Sequence, residues 1–320
     1  MITFTDYEFG CRSALRIAIR RGDIELAFSA FKAIWSNTEH RNWFKFRLPL
    51  IVIEEAFYLI GVYDSFLKRI DKLGAETSYK NFIGILTLCK KSKDVGALSK
   101  LCVSKHGSTE WKHRELVSSR RLWSMACVNG VDKVSCDILN HTGESNQYTM
   151  NALAVLYDCI KSGGNQWNRK TLLLGMFLIV LRGLDEQLVA TEARRAWNRV
   201  PKKVKSIKFP WYAFTPCSHI AREATVSILK SRSITRDMLE KIWFYSESEY
   251  TDSNIILEKK LSSKKNNSFE SVWWGYERRK HKAYDQRWKV LKPKMKKQVE
   301  KILGKIKPCK GKKLSGQSIR

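Results

Sequence analysis

The carboxylate pair Glu54–Glu55 is the most conspicuous group in this sequence that could do chemistry. It lies inside the apolar run LPLIVIEEAFYLIG, where an unpaired carboxylate would be costly to bury. Two adjacent carboxylates could act as a general acid and base, or they could bind a metal ion. The simpler interpretation, which we favour, is that one carboxylate faces solvent and the other pairs with Arg16, Arg20 or Arg47.

Recognisable catalytic and cofactor motifs do not occur in the sequence. A phosphate-binding loop needs G-x-x-x-x-G-K-[ST], and the nearest stretch, SGGNQWNRKT, has the spacing of a turn before a helix instead. Neither H-E-x-x-H nor G-x-S-x-G is found, and the six histidines are scattered. An enzyme acting on nucleic acid would draw its metal ligands from Glu54, Glu55, Asp132 and Asp137. These carboxylates have no recognisable cluster spacing, so we predict no catalytic residue, metal site or cofactor.

The eight cysteines include no C-x-x-C pair, and their spacing fits neither a zinc ribbon nor a zinc finger. Most of them lie in apolar helical patterns, where a free thiol packs as a small core residue. Reduced cysteines predict a cytoplasmic protein, in the host cytoplasm if the protein is viral. The longest apolar run, LLLGMFLIVL, has half the length of a membrane-spanning helix. It predicts a buried central helix and no membrane partner.

Apolar residues at steps of three and four, few prolines and little β-branched alternation predict an all-α fold. The fold class that we expect is a multi-helix bundle of about a dozen helices. Within SALRIAIRRGDIELAFSAF (13–31), Gly22 suits the C′ position of one helix and Asp23 the N-cap of the next. Pro49 falls within a periodic segment, where a helix must begin or kink. The predicted helices span 8–21, 23–36, 41–60, 62–72, 77–90, 93–104, 111–128, 130–140, 147–161, 167–183, 185–198, 217–230 and 234–246.

Net charge is the strongest indication of function, because 59 Lys and Arg against 31 Asp and Glu give +28. An excess of this size favours a polyanionic partner. Residues 259–320 contain 21 basic and 4 acidic residues, a second basic cluster spans 194–208, and Arg16, Arg20 and Arg21 form a third. The residues that we predict to bind nucleic acid are Arg194, Arg195, Arg199, Lys202, Lys203, Lys205, Trp273, Trp274, Arg278, Arg279, Lys280, Lys282, Arg287 and Lys289.

The C-terminal segment interleaves aromatic rings with its cations, as in WWGYERRKHKAYDQRW. Cations neutralise phosphates while rings can stack on exposed bases, which suits single-stranded or junction-containing nucleic acid. The spacing of Trp273, Tyr276, Tyr284 and Trp288 is also that of one helix face docked on the main domain. We slightly favour docking for the rings, and the cations contact phosphate under either interpretation.

The stretch SALRIAIRRGDIELAFSAFKAIW (13–35) resembles the start of the C-terminal helical domain of the replication-associated recombination ATPases, the MgsA/RarA/WRNIP family. The residues that carry the match are Ala14, Leu15, Ala18, Ile19, Arg20, Gly22, Asp23 and Ala27. Glu54–Glu55 before Gly61 and LTLCKKSKDVGALSKLC (86–102) extend the similarity over the first 105 residues. The resemblance implies a clamp-loader-type collar that oligomerises and takes part in DNA transactions. The family's ATPase module has no counterpart in this sequence, so ATP hydrolysis is not implied.

Composition divides the chain into a helical domain (1–198), a basic proline-containing connection with further helices (199–258), and a basic aromatic helical segment with a disordered tail (259–320). The predicted function is that of a non-catalytic nucleic-acid-binding accessory protein in DNA replication or recombination. We expect DNA rather than RNA as partner, together with a homo-oligomer or a replication protein, and a phage origin would fit a stand-alone collar. The alternative is a viral or cellular interaction protein whose basic tail docks on an acidic partner protein.

Overall fold

The computed structural model describes residues 4–67, 74–92, 94–103, 114–142, 146–214, 219–230 and 290–305. These ranges are mainly helical and form no β-strand, which confirms the predicted all-α multi-helix bundle. Short 3₁₀ turns occur at Phe57–Leu59 and Trp211–Ala213. The helices are α1 (Phe4–Arg21), α2 (Ile24–Ser36), α3 (Thr38–Ala56), α4 (Ile60–Leu67), α5 (Ala75–Leu88), α6 (Asp94–Val103), α7 (Arg114–Asn129), α8 (Val131–Asn140), α9 (Gln147–Lys161), α10 (Gln166–Arg182), α11 (Glu186–Asn198), α12 (His219–Leu229) and α13 (290–304). The predicted helix at 234–246 lies outside the described residues.

The corner between α1 and α2 has the geometry that its sequence predicts. Gly22 takes a φ of +67°, a conformation that favours glycine, and its N–H donates to the Ile19 carbonyl at 3.3 Å. The Asp23 N–H donates to the Ala18 carbonyl at 3.0 Å, which completes a Schellman motif. The Asp23 carboxylate then accepts from the Leu26 N–H at 3.0 Å and caps α2. The predicted helical hairpin is therefore confirmed.

α3 begins earlier than its apolar pattern predicts and continues through Pro49. Its start at Thr38 is set by Asn37, whose side-chain oxygen accepts from the His40 N–H at 3.1 Å. Pro49 has no N–H and so costs the helix one hydrogen bond. Its neighbours Leu48 and Ile51 are fully buried, and their packing offsets that loss.

α3 and α10 lie at the centre of the bundle and contact each other. α10 contains the apolar run of the sequence and also packs against α6, α7, α8 and α9, whereas α3 packs against α1, α2, α4 and α6. A Cβ atom at Gly175 would lie 3.0 Å from Ile53, so the glycine lets the two helices approach closely. The predicted buried helix is confirmed; Val180, near its C-terminal end, is partly exposed.

Residues 199–210 form an extended segment, which we call the strap, over α2 and α5. The Ile207 N–H donates to the Ser29 hydroxyl of α2 at 3.0 Å, and Val200 packs against Gly84 of α5. After the strap, Phe214 is buried against Gly10 of α1. The strap is thus anchored on the bundle.

α13 packs its apolar face into the same core. Its buried residues recur at steps of three or four, which places them on one side of a helix. They are Leu291, Met295, Val299 and Ile302. The opposite side of α13 carries its charged residues, so the helix presents a basic face to solvent.

Candidate nucleic-acid interface

The predicted nucleic-acid-binding residues divide between α11, the strap and the part of the chain outside the described ranges. Arg194 and Arg195 lie in the last turns of α11, and Arg199 follows that helix. Lys202, Lys203 and Lys205 lie on the strap, and all six side chains are exposed. The remaining predicted residues lie outside the described residues: Trp273, Trp274, Arg278, Arg279, Lys280, Lys282, Arg287 and Lys289.

The strap exposes its lysines because the residues between them face the protein. Val204 and Ile207 are half-buried against the core, and Phe209 is buried. The lysines at 202, 203, 205 and 208 project to solvent. The whole segment 194–208 contains seven basic residues and no carboxylate. It therefore presents a run of positive charge that contains no carboxylate.

α13 adds a second set of cations. Its exposed lysines are Lys292, Lys294, Lys296, Lys297 and Lys301, and exposed Lys305 directly follows the helix. Its only carboxylate, Glu300, lies 3.9 Å from the Lys296 ammonium, where an exposed pair is worth little. The individually named nucleic-acid-binding residues end at Lys289, and the spacing of Leu291, Met295 and Val299 is the signal that predicts a docked helix here.

Three basic segments that are distant in sequence meet at the 3₁₀ turn Trp211–Ala213. The Arg21 guanidinium of α1 lies 4.2 Å from the centroid of the Tyr212 ring. The Lys292 ammonium of α13 lies 5.9 Å from the centroid of the Trp211 ring, and the two rings contact each other edge to face. Cation–π contacts of this kind hold a cation against an aromatic ring. The strap, α13 and the end of α1 are therefore neighbours.

The acidic pair of α3 neutralises the other two arginines of the N-terminal basic cluster. Arg16 contacts Glu54 at 3.0 Å, and Arg20 contacts Glu55 at 2.7 Å. The Glu54 side chain is 15% exposed and the Glu55 side chain 0%. The prediction that one carboxylate faces solvent is therefore wrong: two arginines on successive turns of α1 reach both. Burial lowers the pKa of the nearby Arg47, against the opposing effect of Glu54.

A buried lysine, Lys91, extends this polar network to the end of α5, and no pattern in the sequence indicates its burial. Its ammonium donates to the carbonyls of Leu86, Thr87 and Cys89 at 2.5, 2.9 and 2.8 Å. Burial lowers the pKa of Lys91, opposed by the nearby Cys89 and Glu55. A cation at the carbonyl end of a helix is stabilised by the helix dipole. Lys91 therefore caps α5 and has a structural role.

The same network fixes α11, the helix that carries Arg194 and Arg195. The Lys90 N–H donates to the Glu192 carboxylate at 3.0 Å, and the Lys90 carbonyl accepts from the Tyr58 hydroxyl at 2.7 Å. The Arg199 guanidinium donates to the Leu88 carbonyl at 3.1 Å. α11 and the start of the strap are thus tied to the end of α5 through Leu88 and Lys90.

The other groups considered for chemistry are separate from this interface. Asp132 forms an ion pair with Arg169, and Asp137 lies on the same helix, α8. Among the described residues, no group of three His, Cys, Asp or Glu side chains could hold a metal ion. The described cysteines are free thiols, and burial raises the pKa of Cys102 to about 12. None of the helices in the described part of the chain has the length and apolar character needed to cross a bilayer.

Comparison with protein-family models, with curated proteins and with solved structures finds no match for this chain. The resemblance of residues 13–35 to the recombination ATPases, and the collar that it implies, remain predictions.

Proposed function

We propose that this protein is a non-catalytic nucleic-acid-binding protein that holds DNA along its basic face. We define the basic face as the exposed cations of 194–208 together with those of α13. The observation that carries the proposal is that α13 contacts Trp211, three residues after segment 194–208, and that the two segments together contain one carboxylate. A surface with an excess of positive charge attracts a phosphate backbone and releases its counterions.

The uneven distribution of charge supports this interpretation. Residues 131–192, from the start of α8 to the middle of α11, contain seven acidic and five basic residues. The strap that follows α11 contains only basic charges. A high net charge that served solubility alone would be spread over the surface. Concentration in two neighbouring segments instead favours one extended anionic ligand.

The resemblance to the recombination ATPases is the reason for proposing DNA rather than RNA, and a role in replication or recombination. It also motivates the proposal that the protein forms a homo-oligomer or binds a replication protein through the α1–α2 hairpin. The basic face does not depend on these assignments, because phosphate contacts are common to both nucleic acids.

A salt series tests the proposal most simply. Fluorescence anisotropy of labelled single-stranded and duplex oligonucleotides of about 30 nucleotides would be measured at about 50 to 200 mM salt. If about six cations contact phosphates, affinity should fall by about a thousandfold over that range. The double variant Lys202→Gln, Lys203→Gln should flatten the salt slope by about 1 to 2. A matched control removes two exposed lysines from α8 and α9, Lys133→Gln and Lys161→Gln, and should leave the slope unchanged.

The alternative, an acidic protein partner, predicts a different outcome. A chain that binds polyglutamate but neither oligonucleotide would contradict the proposal and support the alternative. Equal losses of affinity in the strap variant and in the matched control would also contradict it, because the basic face would then have no special part in binding.

A further inference from the structure

Small residues on one side of α11 leave an apolar groove beside the basic face. Ala190 and Ala193 lie three residues apart and face α4 and α5, where larger side chains would close the gap. The groove has a volume of about 390 Å³. Its other apolar lining residues are Val62, Phe66, Ile85 and Trp197.

The groove is formed by helices that are fixed relative to each other. The contacts that tie α11 to the end of α5, from Glu192 to the Lys90 N–H and from Arg199 to the Leu88 carbonyl, lie on the helix that forms one wall. A preformed apolar cleft with a few polar groups is the usual form of a small-molecule or base-sized site.

The residues at the edge of the groove suit a nucleobase. Trp197 is 43% exposed, so part of its ring is available for stacking. Asn81 and Ser65 supply an amide and a hydroxyl that can hydrogen-bond a base edge. Arg194 lies three residues before Trp197 and is exposed, so its guanidinium can contact the phosphate of the same nucleotide.

We infer that this groove receives one unpaired base of a single strand whose phosphates lie on the basic face. The inference rests on the proposed function and specifies its ligand as single-stranded nucleic acid. Charge complementarity favours this occupant. Arg194 lines the groove and is also the first residue of segment 194–208, which has seven cations and no carboxylate. A duplex keeps its bases stacked and could use the groove only by extruding one of them.

Two variants at exposed positions test the groove without disturbing the core. Trp197→Ala removes the stacking surface, and Ala190→Phe fills the cleft from its solvent side. Trp167→Ala is the matched control, because Trp167 is 42% exposed on α10 and belongs to a different part of the bundle. Far-UV circular dichroism confirms that each variant is folded.

Three labelled probes would be titrated at one salt concentration: oligothymidylate, a duplex of the same length, and a fully abasic strand that keeps the phosphates. The wild-type protein should bind oligothymidylate about tenfold more tightly than the abasic strand. Both groove variants should lose this factor on oligothymidylate alone. Their affinity for the duplex and the abasic strand, and their salt slope, should not change.

Equal binding of oligothymidylate and the abasic strand by the wild type would overturn the inference. Variants that keep full affinity for oligothymidylate, or that lose affinity for all three probes equally, would also overturn it. In each of these cases salt-dependent binding of the probes could persist, and the proposed function would stand. Absence of salt-dependent binding to every probe would instead contradict the proposed function itself.

Discussion

The ion pair between Glu55 and Arg20 is the place where the fold should be most sensitive to the loss of one charge. Glu55 lies on α3 with a side chain that is 0% exposed, and Arg20 lies on α1 with a side chain that is 13% exposed. The Arg20 Nε donates to the carboxylate at 2.7 Å. The substitution Glu55→Gln keeps the size of the side chain and removes its charge.

The expected cost follows from the burial of this pair. Removing one partner of a buried ion pair costs about 3 to 5 kcal/mol, because the remaining charge stays buried without compensation. Here the guanidinium of Arg20 and the nearby ammonium of Lys91 would both lose a neighbouring negative charge. Glu39 provides the comparison: it contacts Arg12 at 3.0 Å, but its side chain is 70% exposed. Loss of that exposed pair should cost about 0 to 1 kcal/mol.

Urea denaturation followed by far-UV circular dichroism at neutral pH measures both costs as changes in the free energy of unfolding. We expect Glu55→Gln to be destabilised by about 3 to 5 kcal/mol and Glu39→Gln by less than about 1 kcal/mol. Replacing both members of the buried pair, as in Arg20→Met with Glu55→Leu, should recover part of the loss, because no unpaired guanidinium remains. A cost for Glu55→Gln as small as that for Glu39→Gln would refute the reasoning.

Two further substitutions test the backbone and pH contributions. Gly22→Ala should destabilise the fold by about 1 to 2 kcal/mol, measured by thermal unfolding, because φ is +67° there. Gly96→Ala should not, because φ is ordinary there and an added Cβ would lie at van der Waals distance, 3.9 Å, from the Glu54 carbonyl. Burial lowers the pKa of His40, and the neighbouring Arg12 lowers it further. Below about pH 6.5 the histidine of the unfolded chain therefore binds a proton that the histidine of the folded chain does not. The melting temperature should therefore fall with pH in that range, and His40→Gln should reduce the dependence; an unchanged dependence would contradict this assignment.

Local features of the fold were predictable because the residues that determine them are adjacent in sequence. The Gly22–Asp23 corner needs only a residue that tolerates positive φ followed by a capping carboxylate, and both are visible in the sequence. The apolar run of α10 is long enough to indicate burial on most of its sides. The apolar pattern places the start of α3 at residue 41, three residues too late, because its N-cap Asn37 lies before that pattern.

Contacts between segments that are distant along the chain could not be predicted from the sequence. The pattern around Glu55 indicates burial, but its partner Arg20 is 35 residues away and is one of several arginines that could reach it. Lys91 resembles an ordinary surface lysine in sequence, and only the folded chain places it on the carbonyls that end α5. The meeting of Trp211 and Lys292 likewise depends on how α13 packs, so the extent of the basic face could not be read from charge alone.

Lysine acetylation footprinting with mass spectrometry tests the central claim most directly, because it reports on each lysine of the folded protein separately. Saturation with a single-stranded oligonucleotide at low salt should protect Lys202, Lys203 and Lys205 of the strap and the lysines of α13. Lys133 and Lys161, which are exposed on α8 and α9, should react as fast as in the free protein. Protection spread evenly over all these lysines, or confined to Lys133 and Lys161, would contradict a basic face that binds nucleic acid.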